Sequence, residues 1–408
     1  MAKKKSFWIG LCFINLCIVA LLGFTLRSKI LFSIPFIDYR NVLSAHSHFA
    51  FAGWAGLSLM TLLIFEVLPQ QSAERKIYTL LLWGIEISSL GMAILFPVQG
   101  YAPLSIFFSS LYIVVTFVFA PVFCKDLLRQ NTNKSVKLLG VSAMVCLVVS
   151  AIGPLGLSYI LISKSGNSLL YRDSIYTFLH FQYNGFFTLS VFALFFNFLA
   201  KKNADIGKPA QKFSFYLCLS ILPALFLSLL WYNYAAFYVL AAIGCILILI
   251  SLFWFFKLLP SIKNSGNFLQ PAAYLLWTLS AFSFALKMLL NVGTIFPALG
   301  NAVYGDRPVI IGFLHLVFLG FLTFYILSQV IEKGFFTKER KTIIYPFIVF
   351  AFGIIANETI LMIQGLGVLF KTNHSIFNWL LWSASIVLFL GAFLITIVRF
   401  RLGTKYIN

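Results

Sequence analysis

Acidic side chains are scarce in this chain, and histidines scarcer still. Its 408 residues hold 11 Asp and Glu against 30 Lys and Arg, and five His. Charged residues make up only 10%, whereas 61% are hydrophobic and the mean hydropathy is +0.96. A water-soluble fold needs a polar surface that this composition cannot supply, so the expected class is an all-α, polytopic transmembrane helical bundle. No long linker, low-complexity segment or clear sequence repeat interrupts it, which leaves residues 1–408 as one transmembrane domain.

Other absences narrow the chemistry. The six Cys (Cys12, Cys17, Cys124, Cys146, Cys218, Cys245) lie in apolar runs and form no C-x-x-C or C-x-x-C-H. That spacing excludes a thioredoxin motif, a zinc knuckle and a covalently attached haem. The net charge of +19 does not mark a nucleic-acid partner, because Lys and Arg sit in short loops between apolar runs. Such a distribution reports membrane topology.

Apolar runs bounded by charge, Pro or Gly predict twelve helices, at about 7–26, 43–68, 77–97, 101–124, 137–163, 171–200, 213–231, 235–259, 271–294, 307–331, 342–366 and 376–400. Lys3-Lys4-Lys5 before the first run resembles a signal peptide, but the run is too long and no small-residue cleavage site follows. With loops assigned to alternate sides, 22 basic residues fall on the side of the termini and 7 on the other, with Lys287 left inside a helix. The positive-inside rule then places both termini in the cytoplasm, and the expected location is a bacterial-type inner membrane.

Four of the five histidines fall at one expected depth. His46 and His48 lie near the start of the second helix, His180 on the sixth and His315 on the tenth, all three running from outside to inside. At ~1.5 Å per residue each sits in the outer third of the membrane. A histidine there costs free energy unless something binds it, so a shared depth points to one site or two adjacent ones. On a regular helix His46, Ala50 and Gly53 share a face, which leaves room for a flat ligand such as haem. His48 points away from His46 and has two open readings, a small metal site with His180 or hydrogen bonding inside the bundle.

His180 shares a stripe with Asp173, Tyr176, Thr177, Tyr183 and Asn184, which reads either as a hydrated path or as polar packing between helices. Lys287, with Glu86 and Glu358 as the buried carboxylates, reads as a proton or ion route or as a Lys–Glu pair locking helices. Arg40 and Arg307, at the expected outer ends of the second and tenth helices, read as partners for an anionic ligand group or as interfacial anchors.

Twelve helices with histidines on the second, sixth and tenth resemble subunit I of the haem-copper oxidase superfamily, in particular its nitric oxide reductase and cbb3-type branches. Ala45-His46-Ser47-His48 with Gly53-Trp54 and Leu68-Pro69 is similar to the family's low-spin haem segment, and Gly312-Phe313-Leu314-His315 to its tenth-helix segment. The resemblance implies one b-type haem held between His46 and His315, with its propionates near Arg40 and Arg307. The family's high-spin haem ligand is replaced by Phe313. His180 matches one ligand of the family's copper or iron, but the seventh helix has no His for the other two. The chain is therefore more similar to NnrS-like and short relatives that lack the full binuclear centre. The expected role is electron transfer, with an electron-donor protein as partner, or the handling of nitric oxide or metal, with copper as a further candidate ion. Whether it is an enzyme stays open. The rival expectation is a multi-pass transporter or metal-assembly protein on the same fold.

Overall fold

The computed structural model describes residues 1–204, 207–264, 269–335, 341–370, 372 and 374–402. Lys338, Arg340, Lys371 and Lys405, used in the charge count, lie outside them.

Within the described residues the chain is helical throughout, with twelve helices long and apolar enough to cross a membrane. They are α1 Ala2–Leu31, α2 Tyr39–Val67, α3 Lys76–Gln99, α4 Pro103–Leu128, α5 Lys134–Ser163, α6 Ser168–Lys201, α7 Gly207–Tyr232, α8 Ala235–Pro260, α9 Pro271–Gly293, α10 Arg307–Glu332, α11 Ile344–Val368 and α12 Ile376–Arg401. The protein is a polytopic helical bundle. Four of the helices, α1, α2, α4 and α7, run a turn or more beyond the apolar stretches at one end or both, because once a helix is nucleated its polar ends propagate at little cost. One consequence is that Arg27 belongs to α1 and not to a loop. A short helix, Pro297–Gly305, fills the connection from α9 to α10.

Three helices form the inside of the bundle. The most apolar stretches of α2, α6 and α10 are 89%, 94% and 61% buried, against 22–50% for the other nine. These are the helices that carry the histidines of expected common depth, and they are four apart in the chain. Each also leaves α-helical geometry next to a histidine. Wider π-helical turns span Ala50–Gly56 in α2, His180–Phe187 in α6 and Leu316–Thr323 in α10. A π turn closes its hydrogen bonds at i+5 and shifts every later side chain around the axis. Sequence alone shows no repeat, but the structure repeats one device beside the histidines of three helices, and α2 carries a second such turn at Leu63–Val67.

Aromatic side chains fill the centre. Phe51 and Phe187 both pack on Phe318, with ring centroids 4.5 and 5.3 Å away, so α2, α6 and α10 meet through rings. Between α6, α7, α8, α9 and α10, Phe192 packs on Phe213 and Phe284, and Phe195 on Trp277. The gap left there is about 10 Å³, too small for more than a water molecule. At one end of the bundle, Lys5 and Lys333 both pair with Glu66, and Arg399 bonds Ser6, which ties α1, α2, α10 and α12 together.

Candidate functional site: two imidazoles on one cavity

The opposite arc of the bundle is not filled. Between α1, α2, α10, α11 and α12 lies a cavity with about 190 Å³ open to the centre of a water molecule, inside about 1060 Å³ of atom-free space. One water needs ~10–15 Å³ of such volume, so this is a ligand-sized space and not a packing defect. Its wall is largely apolar, with Leu16, Ala50, Phe51, Trp54 and Phe318 among the lining residues. Polar groups enter at few points. His46, His315 and Arg27 are the titratable ones, joined by Ser47, Asn357 and Ser385.

Both imidazoles are held the same way. His46 Nδ1–H donates to the Val19 carbonyl of α1 at 3.1 Å, and His315 Nδ1–H donates to Ile311, one turn back on α10, at 2.8 Å. With Nδ1 protonated, the lone pair of each neutral ring sits on Nε2. Neither Nε2 has a hydrogen-bond partner among the described residues. Fixing one ring nitrogen on a carbonyl so that the other is free is how a ligating histidine is oriented. His46, His315 and Arg27 also interact electrostatically, as expected of groups around one space.

Glycine makes part of that space. A Cβ at Gly23 would stand 3.2 Å from Cε1 of His46, a tight contact, so the missing side chain leaves the imidazole room against α1. Trp54 closes the cavity floor. Its Nε1–H donates to Thr323 Oγ1 at 2.9 Å and joins α2 to α10.

Several expected site residues lie elsewhere. Gly53 does not line the cavity: a Cβ there would meet the Phe49 ring at 2.5 Å, and its carbonyl accepts from Asn15 Nδ2 at 2.8 Å. The cause is the π turn over Ala50–Gly56, which carries Gly53 off the face it would share with His46 on a regular helix. Arg40 is exposed, whereas Arg307 donates to Tyr39 Oη at 2.6 Å and interacts electrostatically with the cavity-lining Arg27, so it stands beside the cavity without lining it. The arginine that lines the cavity is Arg27, which belongs to a helix that continues past the last apolar residue.

His48 and His180 are not brought together. His48 Nδ1–H donates to Ser44, and the ring packs on Phe96 and Tyr101 beside α3. His180 Nε2–H donates to Ile221 of α7 at 2.7 Å, and its Nδ1 accepts from Asn184 at 3.2 Å, so both ring nitrogens are used. No group of three His, Cys, Asp or Glu side chains suited to a metal ion occurs among the described residues. His374 caps the start of α12, accepting from the Ile376 amide.

Lys287, Glu86 and Glu358 do not pair with one another. Lys287 Nζ donates to Tyr183 O, Asn184 Oδ1 and Thr188 Oγ1 at 3.1, 3.1 and 2.7 Å, all on the π turn of α6 or its edge. The ammonium thereby supplies donors to backbone and side-chain oxygens that the widened turn leaves available. Glu86 bonds Asn15, and Glu358 bonds Asn357 at 3.1 Å. Each contact ends locally, so these residues form no single route. Phe313 packs on Tyr183 at 5.6 Å, with no ligand role open to it.

Sequence reasoning missed Arg27, Gly23 and the π turns. Gly23 gave no signal, since its importance lies in a neighbour 23 residues away in the chain. No known protein family matches the chain, and no curated protein matches it.

Proposed function

We propose that this protein binds one b-type haem in the cavity between α2 and α10, where His46 and His315 would hold its iron, and that it serves electron transfer as a membrane protein of a design related to subunit I of the haem-copper oxidases. The observation that carries this reading is the pair of imidazoles on one cavity, each with Nδ1 fixed on a carbonyl and Nε2 free. The residues present fit the group. Two neutral imidazoles from facing helices suit low-spin iron, the wall is apolar enough for a porphyrin, and Arg27 gives an anionic edge group a cation. When bound, the haem supplies one-electron redox chemistry. The protein's part is to fix both ring tautomers through Val19 and Ile311, to keep water from the ring with Phe51, Trp54 and Phe318, and to hold the anionic edge with Arg27.

With His46 and His315 both available to hold the iron, the site would favour electron transfer over substrate chemistry at this group. The charge distribution supports an inner-membrane orientation with cytoplasmic termini. An electron-donor protein belongs to the same reading.

The test is a reduced-minus-oxidised absorption spectrum of purified protein. His46→Ala and His315→Ala should each abolish the low-spin signal, and His374→Ala should keep it. Haem-free wild type, or a six-coordinate spectrum in both alanine variants, refutes the assignment.

A further inference from the structure

A second cavity lies at the end of the bundle remote from Glu66, among α6, α7, α8 and the short helix Pro297–Gly305. Its place along the bundle follows from α6. Lys201, at one end of that helix, donates to the Glu66 carbonyl, and Arg172 stands one turn in from the other end. The cavity has about 120 Å³ open to the centre of a water molecule and shares no lining residue with the histidine cavity. One water needs ~10–15 Å³ of such volume, so a small ligand group fits.

The wall carries charge of one sign only. Its polar side chains are Arg172, Trp231, Tyr238, Thr294, Asn301 and Tyr304, and the other lining residues are Leu, Ile, Pro or Gly. The Arg172 guanidinium lies 3.8 Å from the centre of the Trp231 ring. Trp231 packs on Tyr176 and Tyr304, each at 5.7 Å, and the Tyr176 hydroxyl donates to the Tyr304 carbonyl at 3.1 Å. Stacking on this frame fixes the guanidinium plane and leaves its N–H groups free. Arg172 makes no hydrogen bond or ion pair among the described residues. Arg172 Nε and Trp231 Nε1 are buried donors without a partner. Unpaired buried donors are costly and few in native proteins. Asp173, next in the chain, is engaged elsewhere: it accepts from Tyr232 Oη at 2.6 Å and does not line the cavity.

These features select the charge of a ligand. A cation would meet Arg172 and find no carboxylate on the wall. A neutral molecule would leave the guanidinium uncompensated. An oxyanion brings both a negative charge and acceptor oxygens, and one arginine matches one charge. Membrane topology does not account for the arginine, because this end of the bundle holds 7 basic residues in the charge count against 22 at the other. Trp231, Tyr238 and Tyr304 in the wall are residue types that gather at the level of lipid headgroups, where phosphate is the common anion.

We infer that the cavity around Arg172 and Trp231 binds a singly charged phosphate group, supplied either as the phosphodiester of an anionic lipid or as free phosphate. The site does not rest on the haem reading.

The experiment is thermal unfolding of the purified full-length protein, washed free of lipid phosphorus in detergent and followed by tryptophan fluorescence. One arm adds phosphatidylglycerol to the micelles, with diacylglycerol of the same chains as its phosphate-free control. The other adds sodium phosphate, with sodium chloride of equal ionic strength as control. The matching source should raise the midpoint saturably, by roughly 3 °C at about a hundred times half-saturation. A response to the lipid alone names the headgroup, and a response to both salt and lipid names phosphate itself. Arg172→Gln should raise the half-saturating concentration at least ~10-fold, the worth of a charge-assisted pair. Lys164→Gln removes a charge near the same end but outside the wall, and should leave it unchanged. If Arg172→Gln does not fold, Trp231→Phe keeps the charge, removes one donor and weakens the stacking, and should raise half-saturation roughly 3-fold or more. No response to either source, an unchanged half-saturation in the folded Arg172 or Trp231 variant, or an equal loss in Lys164→Gln overturns the proposal, and water then fills the cavity. Haem absorbance recorded on the same samples reports the other reading separately.

Discussion

Gly23 gives the most direct test of the cavity's shape. A Cβ on its backbone would lie 3.2 Å from Cε1 of His46 and 3.7 Å from its Nδ1. The first distance requires a neighbour to yield by a few tenths of an ångström, and the neighbour is a ring already held by Val19. Alanine is therefore expected to be nearly neutral. The small crowding is offset by the ~0.8–1.0 kcal/mol that alanine gains over glycine in a helix interior. Valine is different, because its two methyl groups extend beyond Cβ towards the imidazole or the cavity. Overpacking of that kind costs ~1–3 kcal/mol. The empty protein can relieve it by swinging the ring into free space, so the cost falls on the bound state. At ~1.4 kcal/mol per tenfold, Gly23→Val should weaken haem retention by roughly 5- to 150-fold. The assay is haem per polypeptide, from the ratio of haem to protein absorbance across a dilution series, with the low-spin spectrum as the report on both axial ligands. Gly10→Ala on the same helix serves as a control, since its Cβ would stand at an ordinary 3.4 Å from Phe400. Full haem content and an unshifted low-spin spectrum in Gly23→Val would refute the packing argument, and with it the placement of the ring against His46.

Arg27→Gln should weaken haem retention by about tenfold, the worth of one charge-assisted pair, while Arg40→Gln should leave it unchanged because Arg40 is exposed; equal effects in the two variants would remove Arg27 from the site. Topology reporters inserted in the connection between α6 and α7 should read cytoplasmic and those between α5 and α6 periplasmic, and the reverse result would invert the orientation drawn from the charge count.

Much of the architecture was legible in the chain because membrane helices obey a one-dimensional rule. Every backbone polar group must be bonded within its own segment, so length and hydropathy mark the spans one by one. The twelve runs bounded by charge, Pro and Gly each correspond to a helix of the structure. The importance of α2, α6 and α10 was legible too, since polar side chains in apolar runs are costly and few. His46 and His315 stood out as rare residues, and both line the large cavity.

What the chain could not reveal depends on neighbours remote in sequence or on departures from regular geometry. Gly53 shares a face with His46 only at 3.6 residues per turn, and the π turn over Ala50–Gly56 breaks that count. Arg27 became a cavity residue because α1 continues beyond its apolar stretch, a matter of helix propagation that hydropathy does not record. His48 and His180 share an expected depth but face different neighbours, as depth fixes one coordinate and rotation about the helix axis fixes another. The partners of Lys287 were hidden for a related reason, because they are oxygens made available by a widened turn rather than an acidic residue that a sequence displays. The chain by itself determined which segments cross the membrane and which rare polar residues lie within them. Only the tertiary structure decided which of those residues share a space, because that depends on the rotation and packing of whole helices against one another.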